Sequence, residues 1–149
     1  MRPLPRRVAS LGALAVMAAC GQVEPVLMPV SMPECIYQGV SSMEEGSARL
    51  SLTLNGLGEA GVALVRLTGE KTYDDLVEHL GSVSGAWDRR PDWVTTEIEL
   101  RLDASQGLVG VEETRTLDEG AYAIVCIAYP YDGADAEVSP ASALEVSGD

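Results

Sequence analysis

Phenylalanine is absent from this chain, and histidine occurs once, at position 79. Basic residues are few, 10 against 23 acidic ones, and cysteine occurs three times. Each shortage excludes something. Without phenylalanine, a core must be filled by Leu, Val and Ile with help from Tyr and Trp. A Ser-His-Asp triad would have to use His79, and no serine stands in a nucleophile-elbow sequence. The formal net charge is -13, and the three arginines of residues 1–19 are the only charges there, so the remainder carries -16. Such a surface repels nucleic acid and anionic headgroups and favours cations or basic partners. Glycines are scattered at turns, with no phosphate-binding loop among them. No apolar run is long enough to cross a bilayer as a helix. At 149 residues the chain holds one domain.

The N-terminus is what the rest of the sequence is not: basic, then apolar. Arg2, Arg6 and Arg7 precede the short apolar run Val8–Ala19, which has the length of a signal-peptide core. The run ends Val16-Met17-Ala18-Ala19-Cys20-Gly21, which resembles the lipobox of bacterial lipoproteins. Met17 departs from it, standing where leucine is commonest. The resemblance implies cleavage before Cys20 and lipid, including palmitate, on that cysteine. Two or three acyl chains give stable anchoring, whereas one gives only marginal binding. The expected localisation is lipid-anchored on the cell membrane or outer membrane, facing the periplasm or the exterior. The corresponding division is a signal peptide at 1–19, a lipidated cysteine with a Pro-containing spacer at 20–34, and a domain at 35–149. With Pro25, Pro29 and Pro33, the spacer reads as extended chain that lifts the domain roughly 40 Å from the bilayer.

Once Cys20 is lipidated, Cys35 and Cys126 remain. In an oxidising compartment an even remainder reads as a disulfide. The competing reading keeps Cys126 as a metal ligand. Along the domain the pattern is mostly β. Cys35–Gly39 is a short strand, and Ala48–Asn55 alternates through Leu50, Leu52 and Leu54. Val62–Leu67 is a short apolar strand of ambiguous face. Thr72–Leu80 is the one helix, capped by Thr72 and stopped by Gly81. Trp93–Leu102, Gly107–Leu117, Ala121–Ala128 and a closing edge strand at Ala143–Val146 follow. Short strands separated by turn signals predict an all-β, Greek-key β-sandwich with one short helix.

The run Leu117-x-x-Gly120-x-Tyr122-x-x-x-Cys126 resembles the strand that delivers the copper-binding cysteine in cupredoxins. The opening Cys35-Ile36-Tyr37-Gln38-Gly39, the segment Ala63–Leu67, the helix and Trp93-Val94 resemble a group of small bacterial cupredoxin-like secreted proteins. The likeness spans about residues 35–146 and implies a cupredoxin-like fold. It also implies what is missing. A type 1 copper site needs a cysteine and two histidines, usually with an axial methionine. No His or Met follows Cys126, and His79 alone cannot supply two imidazoles. The expectation is therefore a cupredoxin-like domain without copper ligands, without a cofactor, and with Cys126 paired to Cys35.

Remaining chemistry is thin. His79 and Asp75, like Asp74 and Glu78, have the i,i+4 spacing of a weak helical metal site, and solvation explains them as well. Asp132–Glu137 lacks the spacing of a calcium loop. Trp87, Arg89 and Arg90, close to Pro91 and Trp93, form the one basic and aromatic concentration and are the candidate binding surface. Trp93, at a strand start, is expected to plug the core. The sequence thus points to a non-catalytic binding or structural module, meeting an envelope protein or cationic partner. The alternatives are a metal-handling protein (copper or another cation) and an enzyme built on scattered carboxylates.

Overall fold

A computed structural model describes residues 24–82, 90–106, 109–130 and 135–148. Nine strands and one helix run in the order β1 Val26–Met32, β2 Ile36–Tyr37, β3 Ser42–Glu44, β4 Gly46–Leu54, β5 Glu59–Leu67, α1 Tyr73–Ser82, β6 Val94–Asp103, β7 Gly110–Leu117, β8 Gly120–Tyr129 and β9 Glu137–Ser147. They form two sheets, β2-β1-β4-β7 and β3-β9-β8-β5-β6. β1 runs parallel to β4, and β3 parallel to β9; the other neighbours are antiparallel. The chain changes sheet at β2–β3, β3–β4, β4–β5, β6–β7 and β7–β8. This is the all-β, Greek-key sandwich with one short helix that the sequence led us to expect.

The core between the sheets comes from alternate residues. Met28, Val30, Met32, Leu50, Leu52 and Leu54 face inward from the first sheet. Val62, Leu64, Ile98, Leu100, Ile124, Cys126 and Leu144 meet them from the second. Burying one such aliphatic side chain contributes roughly 1.5–3 kcal/mol. A second cluster lies on the outer face of the second sheet, where Ala63, Val65, Val125 and Ile127 are covered by Leu76 of α1. Tyr73, Leu80 and Trp93 pack around it. Trp93 therefore lies outside the inter-sheet core, under the helix, and not plugged into the core as expected. β5 is apolar from Ala60 to Val65 because it is buried there on both faces, which explains its ambiguous pattern.

Three expectations need correction. Val26–Met32, read as spacer, is a strand in full register with Ala48–Leu54, and Met28 and Val30 are fully buried. Pro29 is tolerated because its carbonyl accepts from Gln38 N at 3.0 Å. Its missing N–H thus faces the two-residue β2 and not the long ladder to β4. The closing strand is longer than Ala143–Val146 and is internal, since β3 pairs outside it. α1 continues through Gly81 to Ser82. Its N-terminus is capped reciprocally: Thr72 N donates to Asp75 Oδ2 at 2.8 Å, and Asp75 N donates to Thr72 Oγ1 at 3.3 Å. Among the described residues no helix is long and apolar enough to cross a membrane.

Candidate functional site: an apolar cleft above a disulfide

Cys35 and Cys126, 91 positions apart in sequence, are joined with their Cα atoms 5.9 Å apart. Cys126 is an inward-facing residue of β8, only 2% exposed. Cys35 ends the turn after β1 in a left-handed conformation (φ 57°). The bridge thus pins the β1–β2 turn of one sheet to the central strand of the other. His79 is on α1, on the opposite face of β8, with its ring edge-on to Trp93 at 6.0 Å. The structure does not bring His79 to Cys126. Asp75 Oδ2 is occupied by the Thr72 amide and hydroxyl, which hold its carboxyl below the usual range. Among the described residues no group of three or more His, Cys, Asp or Glu side chains is placed to hold a metal.

Beyond the disulfide the end of the sandwich opens into a cleft of about 300 Å³. Met32 and Leu54 end β1 and β4, Pro33 and Leu57 follow them in the turns, and Tyr129 and Pro130 come from the end of β8. Glu59 and Glu137 stand on its rim. A neighbouring hollow adds Asp103 and Ser105. Backbone bonds fix these loops: Asn55 N donates to Met32 O at 2.9 Å, and Ala104 N to Gly58 O at 2.9 Å. Tyr129 is held as well. Its ring lies over Gly61, where a Cβ would meet the ring at 3.3 Å, and the Arg101 guanidinium stacks on it at 4.1 Å. Arg101 Nε donates to Glu59 Oε1 at 2.5 Å, which raises the guanidinium pKa above its ordinary value. Asp103 accepts from the hydroxyl and amide of Ser105, so its carboxyl titrates below the ordinary range.

The residues singled out from sequence fare unevenly. Cys35 and Cys126 come together as expected. Cys20, Trp87, Arg89 and the Asp132–Ala134 segment lie outside the described residues. Arg90 is turned onto β6, donating to Thr96 Oγ1 and lying 3.9 Å from Glu99. Sequence reasoning missed the cleft. Its one signal was Leu57, an apolar residue in the turn Asn55-Gly56-Leu57-Gly58, where such a side chain has no structural task.

No family model matches the chain, and no curated protein does. Among solved structures it is similar to sodium-dithionite-reduced auracyanin from the photosynthetic bacterium Roseiflexus castenholzii. The two are 15% identical, with a TM-score of 0.41, over 85% of this chain and 99% of that one. So distant a likeness carries no residue and no role across.

Proposed function

We propose that this chain is an exported lipoprotein, anchored through Cys20, whose sandwich serves the cell envelope as a non-catalytic binding or structural module. The observation that carries this reading is the fate of Cys126. The thiol that a metal centre would need is spent on a bridge to Cys35, and the end above it is an apolar cleft. A cleft of this size, open and lined mainly by apolar walls, is suited to receiving an apolar group.

The test is metabolic labelling of the full chain with radiolabelled palmitate in a bacterium that processes lipoproteins. Label on the wild type, lost in Cys20→Ala together with membrane association, is the expected result. An unlabelled wild type overturns the anchored reading. Elemental analysis of the same purified protein decides between module and metal handler. One metal ion per chain would replace the binding reading with the metal-handling one.

A further inference from the structure

We propose that the Leu57 end of the sandwich is a docking surface for a protein segment that presents an apolar side chain flanked by lysine or arginine. This inference rests on the reading of the chain as a binding module and names the partner's chemistry.

Leu57 is 89% exposed. It sits between Gly56 and Gly58, both at positive φ (122° and 112°), and these two glycines make the turn. The fold needs nothing from Leu57, and a turn tip ordinarily carries a polar residue. Val109, 73% exposed, lies next to the end of β4, where its carbonyl accepts from Leu54 N at 3.2 Å. Pro33, Tyr129 and Pro130 continue the apolar surface around the cleft. The walls are rigid before any partner arrives: the disulfide, the Asn55–Met32 and Ala104–Gly58 bonds and the Arg101–Tyr129 stack hold them. Less ordering entropy is then lost on binding.

Charge selects the occupant. Among the described residues, the ionisable side chains lining the cleft and its neighbouring hollow are Glu59, Asp103, Glu137 and Tyr129, with no lysine or arginine. Arg101 answers Glu59, which leaves Asp103 and Glu137 as net negative charge at the rim. An anionic lipid surface is repelled by such a rim, while a cationic peptide is steered to it. The volume accepts one or two side chains and not a whole folded surface, which fits an anchor residue on a segment.

The test uses the lipidated full chain on phosphatidylcholine vesicles, probed with a random heptapeptide display library. Bare vesicles serve as the counter-selection. The expected result is enrichment of peptides that combine an apolar residue with lysine or arginine. Leu57→Asp should weaken the enriched peptides at least tenfold, and Leu27→Asp, at an exposed apolar site on the outer face of the first sheet, less than twofold. Enrichment without basic residues retains a binding module and overturns the cationic partner. Equal binding to wild type and Leu57→Asp overturns the surface. No enrichment over bare vesicles overturns the surface and the binding reading together. A bimane label on Leu57→Cys that is quenched by spin-labelled headgroups would assign this end to lipid and overturn the proposal.

Discussion

Reducing the Cys35–Cys126 bridge is expected to cost the fold about 4.6 kcal/mol, and nearly all of that loss arises in the unfolded chain. The bridge closes a loop spanning 91 positions. In the chain-entropy treatment, opening a loop of that length returns about 15 cal/mol/K to the denatured ensemble, or about 4.6 kcal/mol at 25 °C. The folded state loses little by comparison. Cys126 remains in an apolar core, where a thiol behaves as a small hydrophobe. The Asn55–Met32 bond keeps the β1–β2 turn in place. Natural domains are stable by only about 5–15 kcal/mol, so the reduced protein is left near the lower limit of stability. Urea unfolding of the mature chain, with and without a dithiol reductant, measures the difference directly. At about 4 °C per kcal/mol for a domain of this size, the melting temperature should fall by roughly 18 °C. The urea m-value should rise on reduction, because a cross-linked denatured chain is more compact and exposes less surface. A change below about 1 kcal/mol with an unaltered m-value would refute the reasoning, since the bridge would then not constrain the denatured chain.

Tyr122 donates from its hydroxyl to Asp118 O at 2.8 Å and receives Arg66 Nη1 at 3.3 Å, an arrangement like the tyrosine corner of Greek-key proteins. Tyr122→Phe should therefore destabilise by about 1–2 kcal/mol in the same urea assay. Gly39→Ala should cost about 1–3 kcal/mol, because the new Cβ would stand 2.3 Å from the Tyr37 hydroxyl and displace the ring. Burial pushes the Tyr37 hydroxyl up to about 12 from 10.0, so the unfolded state releases its proton first. Stability should hold below pH 10 and fall as pH rises from 10 to 12, read by thermal melts, with a shallower fall in Tyr37→Phe. If Cys20 is lipidated as proposed, headgroup spin labels should quench a probe on Ser47→Cys more strongly than one on Leu57→Cys; equal quenching would contradict an end-on stance.

Where the sequence was legible, one physical cause shaped each pattern. β4 alternates because one face meets the core and the other meets solvent. The Cys35-x-Tyr37-x-Gly39 opening has a local cause: the Tyr37 ring lies over Gly39, and its hydroxyl donates to Val40 O at 2.6 Å. The spacing from Gly120 to Cys126 places Tyr122 at the corner and Cys126 in the core on the same inward face. Where two causes overlapped, the pattern failed. Val26, Met28, Val30 and Met32 alternate, but the prolines between and around them suggested a spacer. β9 loses its period at the irregularity opposite Ile124 and Val125, where Pro140 pairs with Val125. Beyond Leu57 the cleft had no sequence signature, because its walls come from turns and strand ends far apart in the chain.

Placing β1 at Val26 changes the geometry of the whole assembly if Cys20 carries the lipid. Five residues, Gly21–Pro25, then separate the anchor from the first strand, and fully extended they reach about 17 Å. The start of β1 lies at the same end as the start of β4 and β8 and the ends of β7 and β9. Exposed Glu44, Glu45, Asp118, Glu119 and Glu145 gather there. A short tether brings this acidic base close to the headgroups, and negative charge on both sides keeps it from lying down on them. β1 then runs away from the bilayer for about 20 Å and ends at Met32, on the wall of the cleft. With Cys20 lipidated, tether length, base charge and strand direction together would present the Leu57 end to the solvent side, within reach of the proposed partner.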